Sequence, residues 1–216
     1  MDFEIITKYG WLLIGGVPII LGLSIVSALF GSIIGVVSSF FRQRKGILGK
    51  VMDIYIDIFR GTPVFVQLLI VYFGIPNLFP GFIFNKIVAA CIVFSLNSGA
   101  YLSEIMRAGI EGVDKGQIEA AKALGVSKQD INRDIIIPQA LRNVLPAIFN
   151  EFITLTKETS VASMIGVSDM IYRYNIVKSQ TFNTFTPLLV VFITYYLMNK
   201  VLSLLGKYIE RRLRYD

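Results

Sequence analysis

Apolar and polar positions alternate along this chain in long blocks rather than at the short period of a soluble helix or strand. From Trp11 to Phe41 no charged residue occurs. A single helix of that length would measure about 46 Å, beyond the roughly 30 Å of a hydrocarbon core. Pro18 offers a break, so residues 3–15 are expected at the membrane interface and a first span over about 17–41. Further apolar blocks predict spans over about 52–73, 87–106, 145–166 and 187–205, five in all. The longest stretch that water would tolerate lies between the third and fourth spans and gives a loop over 107–144.

Inside that loop two helices are expected. Gln117 to Leu124 is rich in helix formers, and Gly125 stands where a helix would end in a left-handed residue. Glu119 is placed in the first turn, where the helix dipole favours an anion. Eight residues give only about 12 Å of helix, too short to persist alone, so a partner surface is implied. Ala120, Ala121 and Ala123 would let that surface come close. A second helix opens at Ser127–Asp130 with a capping-box pattern. It is expected to bend or stop near Pro138, with Pro146 marking the return to lipid.

Composition agrees with a membrane location. Of 216 residues 54% are hydrophobic and 17% charged, and the mean hydropathy is +0.64, whereas a soluble domain carries about a quarter charged residues. The net charge of +6 is not gathered into a basic patch with interleaved aromatics, which argues against nucleic acid. Instead the cations fall between the spans. Arg42, Arg44, Lys45 and Lys50 follow the first span; Arg107, Lys115, Lys122, Lys128, Arg133 and Arg142 lie in the loop; Lys200, Lys207, Arg211, Arg212 and Arg214 end the chain. The opposite side holds Lys8, Lys86, Arg173 and Lys178, with Arg60 and Lys157 inside spans. The positive-inside rule then puts the amino terminus outside and the carboxyl terminus in the cytoplasm, as an odd number of spans requires. Cys91 is the one cysteine and there is no histidine, so a metal or haem site is not expected. The first residues lack the basic segment and cleavage site of a leader.

Several polar groups sit within the expected spans, where each charge costs roughly 2.5–3.5 kcal/mol on the lenient insertion scale. Asn97, Ser98, Tyr101 and Glu104 recur at helical spacing on one face of the third span. Glu158, Thr159, Ser160 and Ser163 crowd the fourth. Facing one another they would form a polar chamber for a small zwitterion, carboxylates taking its ammonium and hydroxyls its carboxylate. A salt bridge from Glu104 to Arg107 explains Glu104 equally well, and Asp57 is expected to pair with Arg60 one turn later. Ser27, Gly31, Gly35 and Ser39 form a stripe of small residues, read first as internal helix packing and second as a subunit interface. The excess of Glu104, Glu151 and Glu158 over Lys157 favours basic or neutral polar cargo.

Five motifs in order carry a resemblance. They are Phe59-Arg60-Gly61-Thr62-Pro63, Ala100-Tyr101-x-x-Glu104, Gly116-Gln117-x-Glu119-Ala120-Ala121, Pro138-Gln139-Ala140-Leu141-Arg142 and Lys157-Glu158-Thr159-Ser160. With Gly125 and Ile135-x-Ile137-Pro138 they resemble the EAA-motif permease subunits of ABC importers, in the polar amino-acid branch. Ile137 stands where relatives often have leucine. The resemblance implies an all-α integral membrane protein of type I importer architecture in the bacterial cytoplasmic (inner) membrane. It further implies that Gln117, Glu119, Ala120, Ala121, Leu124 and Gly125 form a coupling helix docked on a cytoplasmic ATP-binding subunit. A second permease subunit, an extracytoplasmic amino-acid-binding protein and an amino-acid cargo complete the implied assembly. The chain has no GxxxxGK[ST] phosphate loop. ATP and Mg are therefore expected on the partner, with no cofactor on this chain and no catalysis of its own. A secondary carrier driven by an ion gradient is the alternative; the inverted repeats it would show are absent from the sequence.

Overall fold

The computed structural model describes residues 2–43 and 46–215, with side chains to residue 212, so Arg44, Lys45 and the Arg214 side chain lie outside the described residues. Every regular element is helical. The chain opens with α1 (Phe3–Ile14) and α2 (Val17–Arg42), separated by Gly15 and Gly16, with Pro18 in the first turn of α2, where its missing N–H leaves no bond unmade. Next come α3 (Ile47–Gly61) and α4 (Val64–Leu78), the latter carrying a π turn at Ile70–Gly74. Then follow α5 (Lys86–Glu111) and α6 (Lys115–Ala123). The helix α7 begins at Lys128–Asp130, passes through a π turn at Ile131–Ile136 and continues as Ile137–Glu158, ending in a 3-10 turn, Thr159–Ile165. The last elements are α8 (Met170–Thr181) and α9 (Phe185–Tyr215).

Among the described residues three helical stretches are long and apolar enough to cross a membrane: Phe3–Arg42, Lys86–Glu111 and Phe185–Arg212. The pair α3 and α4 makes a fourth if it is one span, but it is bent by 106°. The expected second span, 52–73, is therefore not a continuous helix. Pro63 has no N–H to give, and the backbone at Thr62 and Pro63 is extended. The expected fourth span, 145–166, coincides with the end of α7 and its 3-10 turn, and lacks the apolar character of the others. The expected outer loop, 167–186, contains the helix α8 instead. Asp169 caps it, its Oδ1 accepting from the Tyr172 amide at 2.8 Å. Burial pushes the Asp169 carboxyl up to about 6, against the pull of backbone amides and of Arg173.

Two apolar clusters hold the bundle. Leu23, Leu68, Val93, Phe94, Leu155 and Ala162 join α2, α4, α5 and α7. Leu13, Ile20, Met170, Tyr174, Val177 and Val191 join α1, α2, α8 and α9. The broadest helix contact is between α2 and α5, and the small-residue stripe makes it. A Cβ on Gly35 would lie 2.8 Å from the Leu102 Cβ, and one on Gly31 3.1 Å from the Ser98 Cβ. That stripe packs within the chain.

The break between α3 and α4 is closed by side chains. Gln67, buried, donates from Nε2 to the Phe59 carbonyl at 2.9 Å, the Thr62 carbonyl at 3.1 Å and Thr62 Oγ1 at 2.9 Å. Asn97 of α5 donates from Nδ2 to the same Phe59 carbonyl at 3.1 Å and to Gln67 Oε1 at 3.1 Å. Tyr55 Oη donates to the Leu96 carbonyl at 2.5 Å. The Phe59 and Thr62 carbonyls, which the bend strips of helical partners, are thus satisfied from inside the protein.

Two outcomes are expected. Gly16→Ala places a Cβ 2.3 Å from the Met170 amide nitrogen, whereas a Cβ on Gly10 meets nothing within 4 Å. Gly16→Ala should destabilise by about 1–3 kcal/mol, and Gly10→Ala should be neutral; thermal unfolding in detergent compares them, and equal midpoints would refute the close packing. Gln67→Leu keeps the volume but removes the donor, and is expected to destabilise by about 1–3 kcal/mol through the orphaned carbonyls. Gln67→Glu is the companion variant, restoring an acceptor but not the donor; recovery of the parent midpoint by it would contradict the assigned role of Nε2.

Candidate functional site

The residues singled out from the sequence fall into two places. The first is a knob at one end of the bundle. Asp114 caps α6, its Oδ1 accepting from the Gly116 amide at 2.7 Å. Glu119 therefore lies in the second turn, not the first, and the anion at the helix start is Asp114. The helix stops as expected: Gly125 has φ 76°, and the amides of Gly125 and Val126 donate to the carbonyls of Lys122 and Ala121 at 3.0 Å. Ala121 is buried against the body of the knob, so only Ala120 and Ala123 of the three alanines face outward. Gln117, Glu119 and Gly125 are exposed, and Leu124 is 83% exposed. The knob rests on the π turn of α7. Gln139 Nε2 donates to Gln117 Oε1 at 2.6 Å. Ser127 caps the next helix, accepting from the Asp130 amide at 3.2 Å while its hydroxyl donates to the Asp130 carboxylate at 2.7 Å.

The second place is the seam between α5 and α7. Their register is antiparallel and can be read from three contacts. Lys86 Nζ donates to the Gly166 carbonyl at 2.5 Å. The Ser98 hydroxyl, with no hydrogen bond of its own, lies close enough to the Glu151 carboxyl to influence it. A Cβ on Gly109 would sit 2.2 Å from Val144 Cγ2. By this register Glu158 falls opposite the region of Val93, so Glu104 lies about 17 Å further along α5. Tyr101 and Glu104 therefore do not face Thr159, Ser160 and Ser163, as one chamber would require. Glu151 and Glu158 lie two turns apart on one face of α7. The hydroxyls of Thr159, Ser160 and Ser163 donate to the carbonyls of Thr156, Lys157 and Ser160 at 3.0, 2.6 and 2.8 Å. Each keeps an acceptor lone pair. Asn97, with both amide hydrogens engaged at the helix break, belongs to that break.

Glu104 forms the salt bridge to Arg107 that its spacing offers, and other cations join it. It accepts from Arg42 Nη1, and from Arg107 Nε and Nη2 at 3.1 and 2.8 Å; Arg60 Nη1 stands 3.7 Å away. Arg42 also reaches Asp53 at 2.5 Å, and Arg107 reaches Glu111 at 2.6 Å. This network ties α2, α3 and α5 at the knob end. Arg60 lies over the Tyr101 ring, 5.4 Å from its centroid. The expected Asp57–Arg60 pair does not form among the described residues, because Arg60 turns toward Glu104. A cavity of about 700 Å³ opens beside the network, lined by Arg42, Asp53, Asp57, Arg60 and Glu104 with Ile54.

Gln67 was absent from the candidates drawn from the sequence. Its signal was present: an amide four residues after a proline in an apolar run must find partners inside the protein. Glu151 was noted only for its charge; its approach to Ser98 needs the helix register. Among the described residues no group of three or more Cys, Asp or Glu is placed to hold a metal ion.

Known proteins resemble the chain over nearly its whole length. A putative glutamine transport system permease protein of Rickettsia bellii (strain RML369-C) is 42% identical over 215 residues, 98% of each chain. The arginine transport system permease protein of Bacillus subtilis (strain 168) is 42% identical over 219 residues, covering 99% of this chain and 98% of the relative. The crystal structure of an amino acid ABC transporter with histidines superposes with a TM-score of 0.91 at 36% identity, covering 98% of this chain and 99% of that one. Residues 12–215 match the family of binding-protein-dependent transport system inner membrane components. The chain belongs to that family: it is a multi-pass permease subunit, itself not catalytic, of an ATP-driven importer.

Proposed function

We propose that the chain forms the translocation pathway of an importer for a polar or basic amino acid and that its α6 knob is the coupling helix. The observation that carries this reading is the knob: a capped helix too short to stand alone, presenting Ala120, Ala123 and an 83% exposed Leu124 beyond the bundle. Gln117 and Glu119 flank that face, and Gly125 ends it. An ATP-binding subunit grips the knob and holds the ATP and Mg, and this chain holds no cofactor. An amino-acid-binding protein delivers cargo on the opposite side, and a second permease subunit completes the pathway. The likeness to permeases named for glutamine and arginine transport supports the cargo class.

In this reading the chain crosses the bacterial cytoplasmic membrane five times, at 17–41, 52–73, 87–106, 145–166 and 187–205, with α3 and α4 together as the bent second crossing. Its amino terminus is outside and its carboxyl terminus cytoplasmic, which puts the cation-rich segment 107–144 beside the ATPase. Cargo meets the seam at Ser98, Glu151 and Glu158, with the acceptor oxygens of Thr159, Ser160 and Ser163 along the wall. Tyr101 and Glu104 lie nearer the knob on α5 and shape the inner end of the path, and Asn97 holds the helix break beside it. ATP-driven closure of the ATPases draws the knobs together and tips the bundles, a rigid-body two-state change.

Reconstitution with the ATPase and binding protein, screening amino acids for stimulated hydrolysis, tests the whole reading; uptake that needs an ion gradient but no ATP would favour a carrier. Leu124→Glu leaves the apolar clusters intact and is expected to weaken co-purification of the ATPase about tenfold or more. Undiminished co-purification, or activity after removal of Glu119–Leu124, would defeat the coupling assignment. Glu158→Gln is expected to lower cargo-stimulated hydrolysis about tenfold while basal hydrolysis falls far less; equal loss of both would mark a folding role.

A further inference from the structure

The cavity beside the Arg42–Glu104 network is distinct from the seam at Ser98, Glu151 and Glu158. It opens at the knob end, and its charges divide into two sets. Arg42, Asp53, Glu104 and Arg107 satisfy one another through the contacts given above. Asp57 does not join them, and Arg60 joins them only through a loose ion pair to Glu104. Asp57 is exposed and makes no ion pair within 4.0 Å among the described residues. Arg60 stands 3.7 Å from Glu104, beyond a hydrogen bond, with its side chain 41% exposed and its guanidinium over the Tyr101 ring. The two residues are three apart on α3, on one face, and both line the cavity.

An unpaired carboxylate and a guanidinium held only by a loose ion pair, one helical turn apart, match the two charges of an α-amino acid. The carboxylate accepts from the ammonium, and the planar guanidinium takes the carboxylate through two donors. Ile54 supplies an apolar wall for a side-chain stem, and about 700 Å³ is ample for one amino acid and its waters. We propose that this cavity is a second amino-acid site, reached from the knob side, at which imported product binds Asp57 and Arg60 and slows the transporter. An occupant here contacts α3 directly and sits against the network that joins α3 to α2 and α5. It therefore favours whichever state keeps the cavity open, and the cycle slows by that preference. This inference rests on the amino-acid importer reading.

Vesicles enclosing the binding protein and its cargo amino acid, with Mg-ATP added outside, report only complexes whose knobs face outward. Millimolar external arginine or glutamine is expected to lower hydrolysis several-fold, and external N-acetylarginine, which lacks the α-ammonium, is expected to be inert. Asp57→Asn should raise the half-inhibitory concentration about fivefold, the size of an exposed ion pair, measured relative to that variant's own uninhibited rate. Asp57→Glu should retain inhibition. Inhibition equal with sodium chloride, equal with N-acetylarginine, or unchanged in Asp57→Asn overturns the site, as does its absence. In all those cases cargo-stimulated hydrolysis still stands for the importer reading; if no internal amino acid stimulates hydrolysis, that reading and this site fall together.

Discussion

A hydrocarbon bilayer offers no hydrogen bonds, so any backbone group freed from a helix there must be answered by the protein itself. That constraint organises the break at Gly61-Thr62-Pro63. The turn of 106° between α3 and α4 leaves the Phe59 and Thr62 carbonyls without helical donors, and Gln67 and Asn97 supply them. Because Asn97 belongs to α5, the solution fixes more than a bend. It locks α3 and α4 to the central helix, and so sets where Arg60 emerges. The ionic network and the cavity at the knob end both follow from that placement.

The small-residue stripe of α2 has a complementary role. Gly31 and Gly35 allow the backbones of α2 and α5 to approach until Ser98 and Leu102 fill the space a side chain would need. With α2 pressed on one flank of α5 and α7 on the other, the seam that holds Ser98, Glu151 and Glu158 has rigid walls. Polar side chains in that seam are sheltered from lipid, which is why α7 can cross the bundle while carrying more polar residues than a lipid-facing helix tolerates.

Local features were legible in the sequence. The interruption at Pro18, the left-handed Gly125 and the cap at Ser127 all depend on residues within a few positions of one another. The knob was recognisable for the same reason, except that Asp114 rather than Glu119 supplies its amino-terminal charge. What escaped depends on distance through space. The pairing of Glu104 with Arg42, and of Arg60 with Glu104 rather than Asp57, requires three helices to converge. Helical spacing shows which residues share a face, not which levels of two antiparallel helices meet, so the separation of Glu104 from Glu158 along the seam was not legible. The helix α8 was hidden because its buried residues, Met170, Tyr174 and Val177, are interspersed with polar ones, and burial against α1, α2 and α9 together with the Asp169 cap stabilises it.

The helix from 128 to 158 starts under the knob and ends at Glu158, a rod of about 46 Å. No loop interrupts it. Its π turn lies directly under the knob, where an extra residue per turn makes the backbone most compliant. In the coupling reading proposed above, a push on the knob meets this turn first and then Pro146, whose missing N–H leaves a second yielding point before the carboxylates. Knob and carboxylates are thus joined by one continuous run of helical backbone.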